Sequence, residues 1–266
     1  MMMPEFTEYK PGTFCWVDLA TTDAESAKKF YGELFGWEMT DEPAGPDMVY
    51  TRLSQGGKAV GALYAMGKEM LDMNFSPFWM SYISVENADE VAAKAKELGG
   101  TMKSDPFDVM DLGRMGVIQD PTGAYFSIWQ AKKRIGAQLC NEPVSLCWTE
   151  LMTNDVDRVG AFYTKLFGYE ANTQDMGGFD YTTFMNGDRP AGGMMAITPE
   201  MGEGVPPHWA IYLAVENCDA TIKKAESLGG KVLVPANDMP EVGKFAVLAD
   251  LQGAAFGVIE LKKQPD

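Results

Sequence analysis

Residues 15–37 read CWVDLATTDAESAKKFYGELFGW, and residues 147–169 read CWTELMTNDVDRVGAFYTKLFGY. Cys15, Trp16, Leu19, Thr21, Asp23, Phe30, Tyr31, Leu34, Phe35 and Gly36 all return in the second copy, and Asp18 is answered by Glu150. Chance does not produce such a run, so the chain carries an internal duplication. The echo continues outward. WMSYISVENAD at 79–89 answers WAIYLAVENCD at 209–219, and DPTGAYFSI at 120–128 answers DLQGAAFGV at 250–258. Each copy is too long for a solenoid repeat. Two tandem domains are expected, over residues 1–136 and 137–266.

Within the opening stretch the pattern is strand, cap, helix, stop. Residues 14–20 are apolar but for Asp18. Asp23 can cap a helix. Ala27, Phe30, Tyr31 and Leu34 share one face of that helix at three and four spacing, and Gly36 ends it. Strands are expected over 37–40, 48–53 and 60–66, with a turn at 42–47 and a linker at 67–77. The plan then restarts: strand 78–85, helix 88–98, strands 101–109, 113–119 and 124–130, with an Asp-Pro-x-Gly turn before the last. The second half repeats the order, including a strand at 231–235 and a loop at 201–207. Each domain therefore holds two βαβββ units, about 13–66 and 78–130 in the first, about 144–197 and 208–261 in the second. The fold class expected is α+β. Each domain is a curved eight-stranded mixed sheet around a cavity, with helices on the outside.

Composition narrows the function. Apolar residues make up 46% of the 266, enough for two cores. Net charge is -16 with only 22 Lys and Arg, which argues against nucleic-acid or anionic-membrane partners. The start, MMMPEFTEYK, is a short polar tail without signal-peptide character, and no apolar run is long enough to span a membrane. Cys15, Cys140, Cys147 and Cys218 lack paired spacing, so free thiols in a reducing cytoplasm are expected. The 19 methionines suit soft core or pocket filling.

The strand before Asp23 with its F-Y helix and L-F-G end, the W-x-x-Y-x-x-V-E-N strand and the D-P-x-G-A turn resemble the vicinal oxygen chelate superfamily. That superfamily includes glyoxalase I, the bleomycin-resistance proteins and the extradiol dioxygenases. The tandem arrangement and the doubled C-W-x-[D/E]-L phrase are similar to its two-domain glyoxalase-like group, which includes a mycobacterial 27 kDa antigen. The resemblance implies a cavity in each domain. In metal-dependent members, His or Glu line that cavity at places that correspond here to Trp16, Met80 and Ser127, and to Trp148, Ala210 and Gly257. None of these is a good ligand. The chain has one histidine, His208, whereas zinc, iron or nickel sites of this kind need several. No metal and no cofactor are expected. Two fused domains supply within one chain the pairing that single-domain relatives reach by dimerising, so a monomer is favoured, with a dimer as the alternative.

Alternation chooses the cavity face. If Trp16 points inward, so do Asp18, Met80, Tyr82, Tyr125, Ser127 and Trp129, with Tyr50 and Arg52 joining from the third strand. Trp148, Glu150, Tyr181 and Tyr212 do the same in the second half, where Ala255, Gly257 and Ile259 replace larger residues and leave room. Cys15 and Cys147 alternate toward the helix layer. Trp16 and Trp148 either fill space or stack on a ligand. A carboxylate pointing inward costs free energy unless paired. Arg52 is the expected partner of Asp18, in a pair that serves either the fold or a site. His208 reads as an exposed loop histidine or as an acid or base at the pocket mouth. Asp120 and Asp250 are turn residues. These residues favour a metal-independent module that binds a small, partly aromatic or apolar molecule. The alternative is a lyase, isomerase or hydrolase using Asp18, Glu150, Arg52, tyrosines or His208, with or without an unconventional metal. A protein-interaction role on the outer surface is a third class.

Overall fold

The computed structural model describes residues 5–45, 48–202, 204–239 and 242–262. The chain ends included in the two expected domain ranges, and parts of the expected turn at 42–47 and loop at 201–207, lie outside the described residues. The first half runs β1 (Phe14–Thr21), α1 (Ala24–Phe35), β2 (Glu38–Pro43), β3 (Val49–Gln55), β4 (Lys58–Ala65), α2 (Lys68–Asp72), β5 (Phe78–Ser84), α3 (Ala88–Glu97), β6 (Thr101–Val109), β7 (Gly113–Gln119) and β8 (Tyr125–Ala131). The second runs β9 (Leu146–Thr153), α4 (Val156–Phe167), β10 (Glu170–Asp175), β11 (Asp180–Asn186), β12 (Arg189–Ala196), a 3-10 turn (Pro199–Met201), β13 (His208–Ala214), α5 (Cys218–Ser227), β14 (Lys231–Met239), β15 (Gly243–Ala249) and β16 (Ala255–Leu261).

Each half makes its own eight-stranded sheet, ordered β2-β3-β4-β1-β5-β8-β7-β6 and β10-β11-β12-β9-β13-β16-β15-β14. The first strands of the two units meet antiparallel at the centre, with Trp16 opposite Tyr82 and Asp18 opposite Met80. Parallel pairs flank them, β1 with β4 and β5 with β8. The second sheet repeats the arrangement, with Trp148 opposite Tyr212 and Glu150 opposite Ala210.

The helices form where the pattern places them. Asp23 accepts from the Ser26 N–H at 3.0 Å, and Asp155 from the Arg158 N–H at 3.1 Å. Gly36 and Gly168 end α1 and α4 at φ 73° and 76°, a left-handed turn that costs glycine little. Cys15, Val17 and Leu19 are buried on the helix-bearing face together with Ala27, Phe30, Tyr31 and Leu34. Each such large side chain contributes roughly 1.5–3 kcal/mol by leaving water.

Helices α1 and α4 also bind the halves together. Phe30 and Tyr31 meet Phe256 of β16 edge-on at 6.4 and 5.4 Å, and Phe162 and Tyr163 meet Phe126 of β8 at 6.4 and 5.4 Å. Trp79 Nε1 donates to the Tyr31 hydroxyl at 3.2 Å, which donates to Asp250 Oδ2 at 3.1 Å in the other half. In mirror fashion Trp209 donates to Tyr163 at 2.8 Å, and Tyr163 to Asp120 Oδ2 at 3.1 Å. Asp120 and Asp250 are turn residues as expected: Oδ1 of Asp120 gathers the N–H groups of Thr122, Gly123 and Ala124. Their second oxygens hold the halves together.

Three features differ from the pattern-based expectation. The linker at 67–77 contains the short helix α2. β2 continues through Pro43 and β14 through Met239. Both are edge strands, and β14 is mostly exposed on both sides and bulged against β15, so no alternation marks its length. Residues 5–12 of the expected N-terminal tail strap both halves. Phe6 N–H donates to Gln138 O at 3.0 Å, and Tyr169 and Asn186 of the second half donate to the carbonyls of Gly12 and Pro11.

Candidate functional site

On the face away from the helices, β1, β5 and, across β4, β3 bring Trp16, Asp18, Tyr82 and Tyr50 into one hydrogen-bonded array. Trp16 Nε1 donates to the Tyr50 hydroxyl at 2.8 Å, and Tyr50 donates to Asp18 Oδ2 at 3.1 Å. Tyr82 donates to the same Oδ2 at 2.8 Å. Asp18 is 1% exposed, and its Oδ1 has no hydrogen-bond partner. Burial pushes the Asp18 carboxyl up to about 7, against the pull of the two tyrosine hydroxyls, because no cation offsets its lost hydration. The same burial, with the neighbouring carboxylate, holds Tyr50 and Tyr82 in their neutral form. Tyr64 stacks on Tyr50 at 6.2 Å beside the array.

The expected Asp18–Arg52 pair does not form. Arg52 Nε donates to Glu42 Oε1 at 2.8 Å, and its Nη1 donates to Ser54 Oγ at 2.9 Å. Arg134, beyond β8, reaches the other oxygen of Glu42 at 2.8 Å. The reason lies in the register. Arg52 faces Thr40 of the neighbouring edge strand, two places along from Glu42, and a long side chain prefers that half-exposed carboxylate to a buried one. Glu42 thereby ties the segment after β8 to the opposite edge strand β2, bringing the two arms of the sheet together across its open face. Gln174 and Thr183 occupy the matching places in the second half.

The second half repeats the array with adjusted sizes. Trp148 Nε1 donates to Tyr181 at 2.8 Å, and Tyr212 donates to Glu150 Oε1 at 3.2 Å. Burial raises the Glu150 carboxyl, and hydrogen bonding from Tyr181 and Tyr212 draws it back. Gly257, expected to leave room, and Gly193, which the sequence reading did not single out, are where these rings rest. A Cβ on Gly257 would lie 2.2 Å from the Tyr212 ring, and one on Gly193 would lie 1.9 Å from the Tyr181 hydroxyl.

The remaining candidates spread along the face. Ser127 pairs opposite Tyr82, is fully buried, and its Oγ has no partner. Trp129 donates to Arg134 O at 2.8 Å and lies against Gly113. Tyr125 meets Phe75 edge-on at 6.0 Å near the linker, with Lys103 over its ring. His208 is no loop residue. It opens β13 half-buried, opposite Met152, and its Nδ1–H donates to Pro206 O at 2.8 Å. Glu150 faces Ala210 instead, so the structure does not bring the two together.

The six places where family resemblance puts metal ligands carry Trp16, Met80, Ser127, Trp148, Ala210 and Gly257, and the two indoles spend their N–H groups on tyrosines. Among the described residues no three His, Cys, Asp or Glu come together to hold a metal ion. This donor set does not fit a zinc, iron or nickel centre.

The sequence model of the glyoxalase/bleomycin resistance protein/dioxygenase superfamily matches residues 13–128 and again 145–258. The provisionally named glyoxylase CFP32 of Mycobacterium tuberculosis is 43% identical over 97% of this chain and 98% of its own. Anthracycline biosynthesis protein DnrV of Streptomyces peucetius is 34% identical over 97% and 96%. Among solved structures, the Mn(II)-bound glyoxalase of Novosphingobium aromaticivorans superposes with TM-score 0.63 at 13% identity, covering 96% of this chain and 86% of that one. The 2,3-dioxygenase LapB of a Pseudomonas species gives 0.64 at 13% identity, covering 96% and 93%. Those two likenesses concern the fold. With both halves matched by the superfamily's sequence and a relative in register along nearly all its length, the chain belongs to the glyoxalase/bleomycin resistance protein/dioxygenase superfamily.

Proposed function

We propose that this protein binds a small, partly aromatic molecule without a metal, on the open face of its first half. The observation that carries the reading is the buried Asp18 oxygen that no protein group satisfies. A buried acceptor without a partner costs about 1–3 kcal/mol, a penalty that a ligand hydroxyl or amine removes on binding. Ser127 Oγ adds a second unpartnered group on the same face. The rings of Tyr50 and Tyr64, both half-buried, give the ligand aromatic walls. Relatives named for anthracycline biosynthesis are in keeping with a ligand that carries fused aromatic rings and hydroxyls. The four free thiols suit a reducing, cytoplasmic setting in this reading.

Native mass spectrometry of freshly purified, untagged protein, beside the denatured sample, is the test. A retained organic mass without metal, lost in Asp18→Asn, is expected. One transition-metal ion per chain by inductively coupled plasma analysis would overturn metal independence.

A second reading has its own observation. A carboxyl raised to about 7 is partly protonated at neutral pH, the condition for proton transfer. A lyase, isomerase or hydrolase working through Asp18 would keep binding in Asp18→Asn and lose turnover. The binding module loses binding in Asp18→Asn and shows no turnover in either protein.

A further inference from the structure

The N-terminal strap and the second half enclose a cleft of about 240 Å3, apart from the carboxylate of either array. It is smaller than the roughly 300–1,000 Å3 of drug-sized sites, and so has the scale of a single ring. Its walls are aromatic: Phe6 and Tyr9, stacked at 5.1 Å, and Phe14. Thr149 lines it, is 2% exposed, and leaves its Oγ1 without a hydrogen-bond partner. That hydroxyl lies beside the Phe14 wall. A Cβ on Gly192 would meet Thr149 Oγ1 at 3.1 Å and the Phe14 ring at 3.3 Å. Arg189, at the start of β12, also lines the cleft. It is exposed and forms no ion pair or side-chain hydrogen bond among the described residues. Aromatic walls thus run between a bare buried hydroxyl and an unengaged guanidinium, in a chain that is otherwise strongly acidic.

We propose that this cleft is a second binding site, for a single-ring aromatic acid bearing a ring hydroxyl. The ring lies among Phe6, Tyr9 and Phe14. The carboxylate pairs with Arg189, whose planar fork suits it. The ring hydroxyl exchanges a hydrogen bond with Thr149 Oγ1. A site that hydrogen-bonds a ligand hydroxyl discriminates against the analogue lacking it, because its own buried group is then left unpaired.

Isothermal titration calorimetry with 4-hydroxybenzoate, benzoate and 4-hydroxybenzyl alcohol on the full chain tests this. Expected is one 4-hydroxybenzoate per chain, binding at least tenfold more tightly than either analogue. Arg189→Gln should weaken 4-hydroxybenzoate at least tenfold while leaving the alcohol unchanged. Thr149→Val should remove the preference over benzoate, and Asp18→Asn should bind as the wild type does. Absence of binding at millimolar 4-hydroxybenzoate overturns the site. Equal affinity in Arg189→Gln overturns the assigned carboxylate contact. Loss of binding in Asp18→Asn moves the ligand to the open face of the first half and overturns the proposal while leaving the reading built on Asp18 standing.

Discussion

At the scale of residues, Asp18 decides the most. Its two tyrosine donors satisfy one oxygen, and the other waits in an apolar setting. Because burial raises its affinity for protons in the folded state, the native form holds that proton to higher pH than the unfolded chain does. Stability from this group is therefore full below the unfolded value near 4 and is lost as pH rises through about 7. Asp18→Asn should flatten the fall in unfolding free energy between pH 4 and 7, by up to about 1.4 kcal/mol per pH unit. Urea melts across that range check it, and unchanged slopes would mean that Asp18 is ionised throughout. That Asp18 shares a face with Trp16, Tyr50 and Tyr82 was legible from alternation once the family resemblance had set the face of Trp16. The partner was not: Arg52 and Asp18 share a face, and only three-dimensional placement sends the guanidinium to Glu42.

At the scale of elements, the two sheets show how a duplicated array absorbs substitution. Glu150 is longer than Asp18, and the glycines at 193 and 257 admit the tyrosines that reach it. Gly257→Ala would place a methyl group 2.2 Å from the Tyr212 ring. It should destabilise the protein by about 1–3 kcal/mol, the usual effect of overpacking. Ser127→Gly, at the equivalent place in the first half, should remain folded and near wild type. Equilibrium denaturation of both separates the outcomes, and a neutral Gly257→Ala would show that Tyr212 has room to move. Helix ends and central strands were readable because caps and alternation are local. The edge strands β10 and β14 were harder to delimit, since residues exposed on both sides carry no period.

At the scale of the whole molecule, the reciprocal Trp–Tyr–Asp relays and the aromatic contacts of α1 and α4 join the halves. Removing a relay hydroxyl by Tyr31→Phe leaves an oxygen of Asp250 without its donor. It should cost about 1–3 kcal/mol and lower the temperature of one cooperative transition. Calorimetry reads this directly. Two separate transitions in the wild type would mean that the relays do not couple the domains. The sequence by itself determined the duplication, the order of the elements and which side chains of each strand share a face, because periodicity and caps are written locally, while the family resemblance supplied which face is inward and where metal ligands would sit. Only the tertiary structure decided that the turn aspartates bridge the halves, that Arg52 serves Glu42, that glycines in the second half are filled by tyrosines, and that the strap encloses a cleft. Each of these depends on which distant side chains meet, and one strand's pattern cannot record its neighbour's contents.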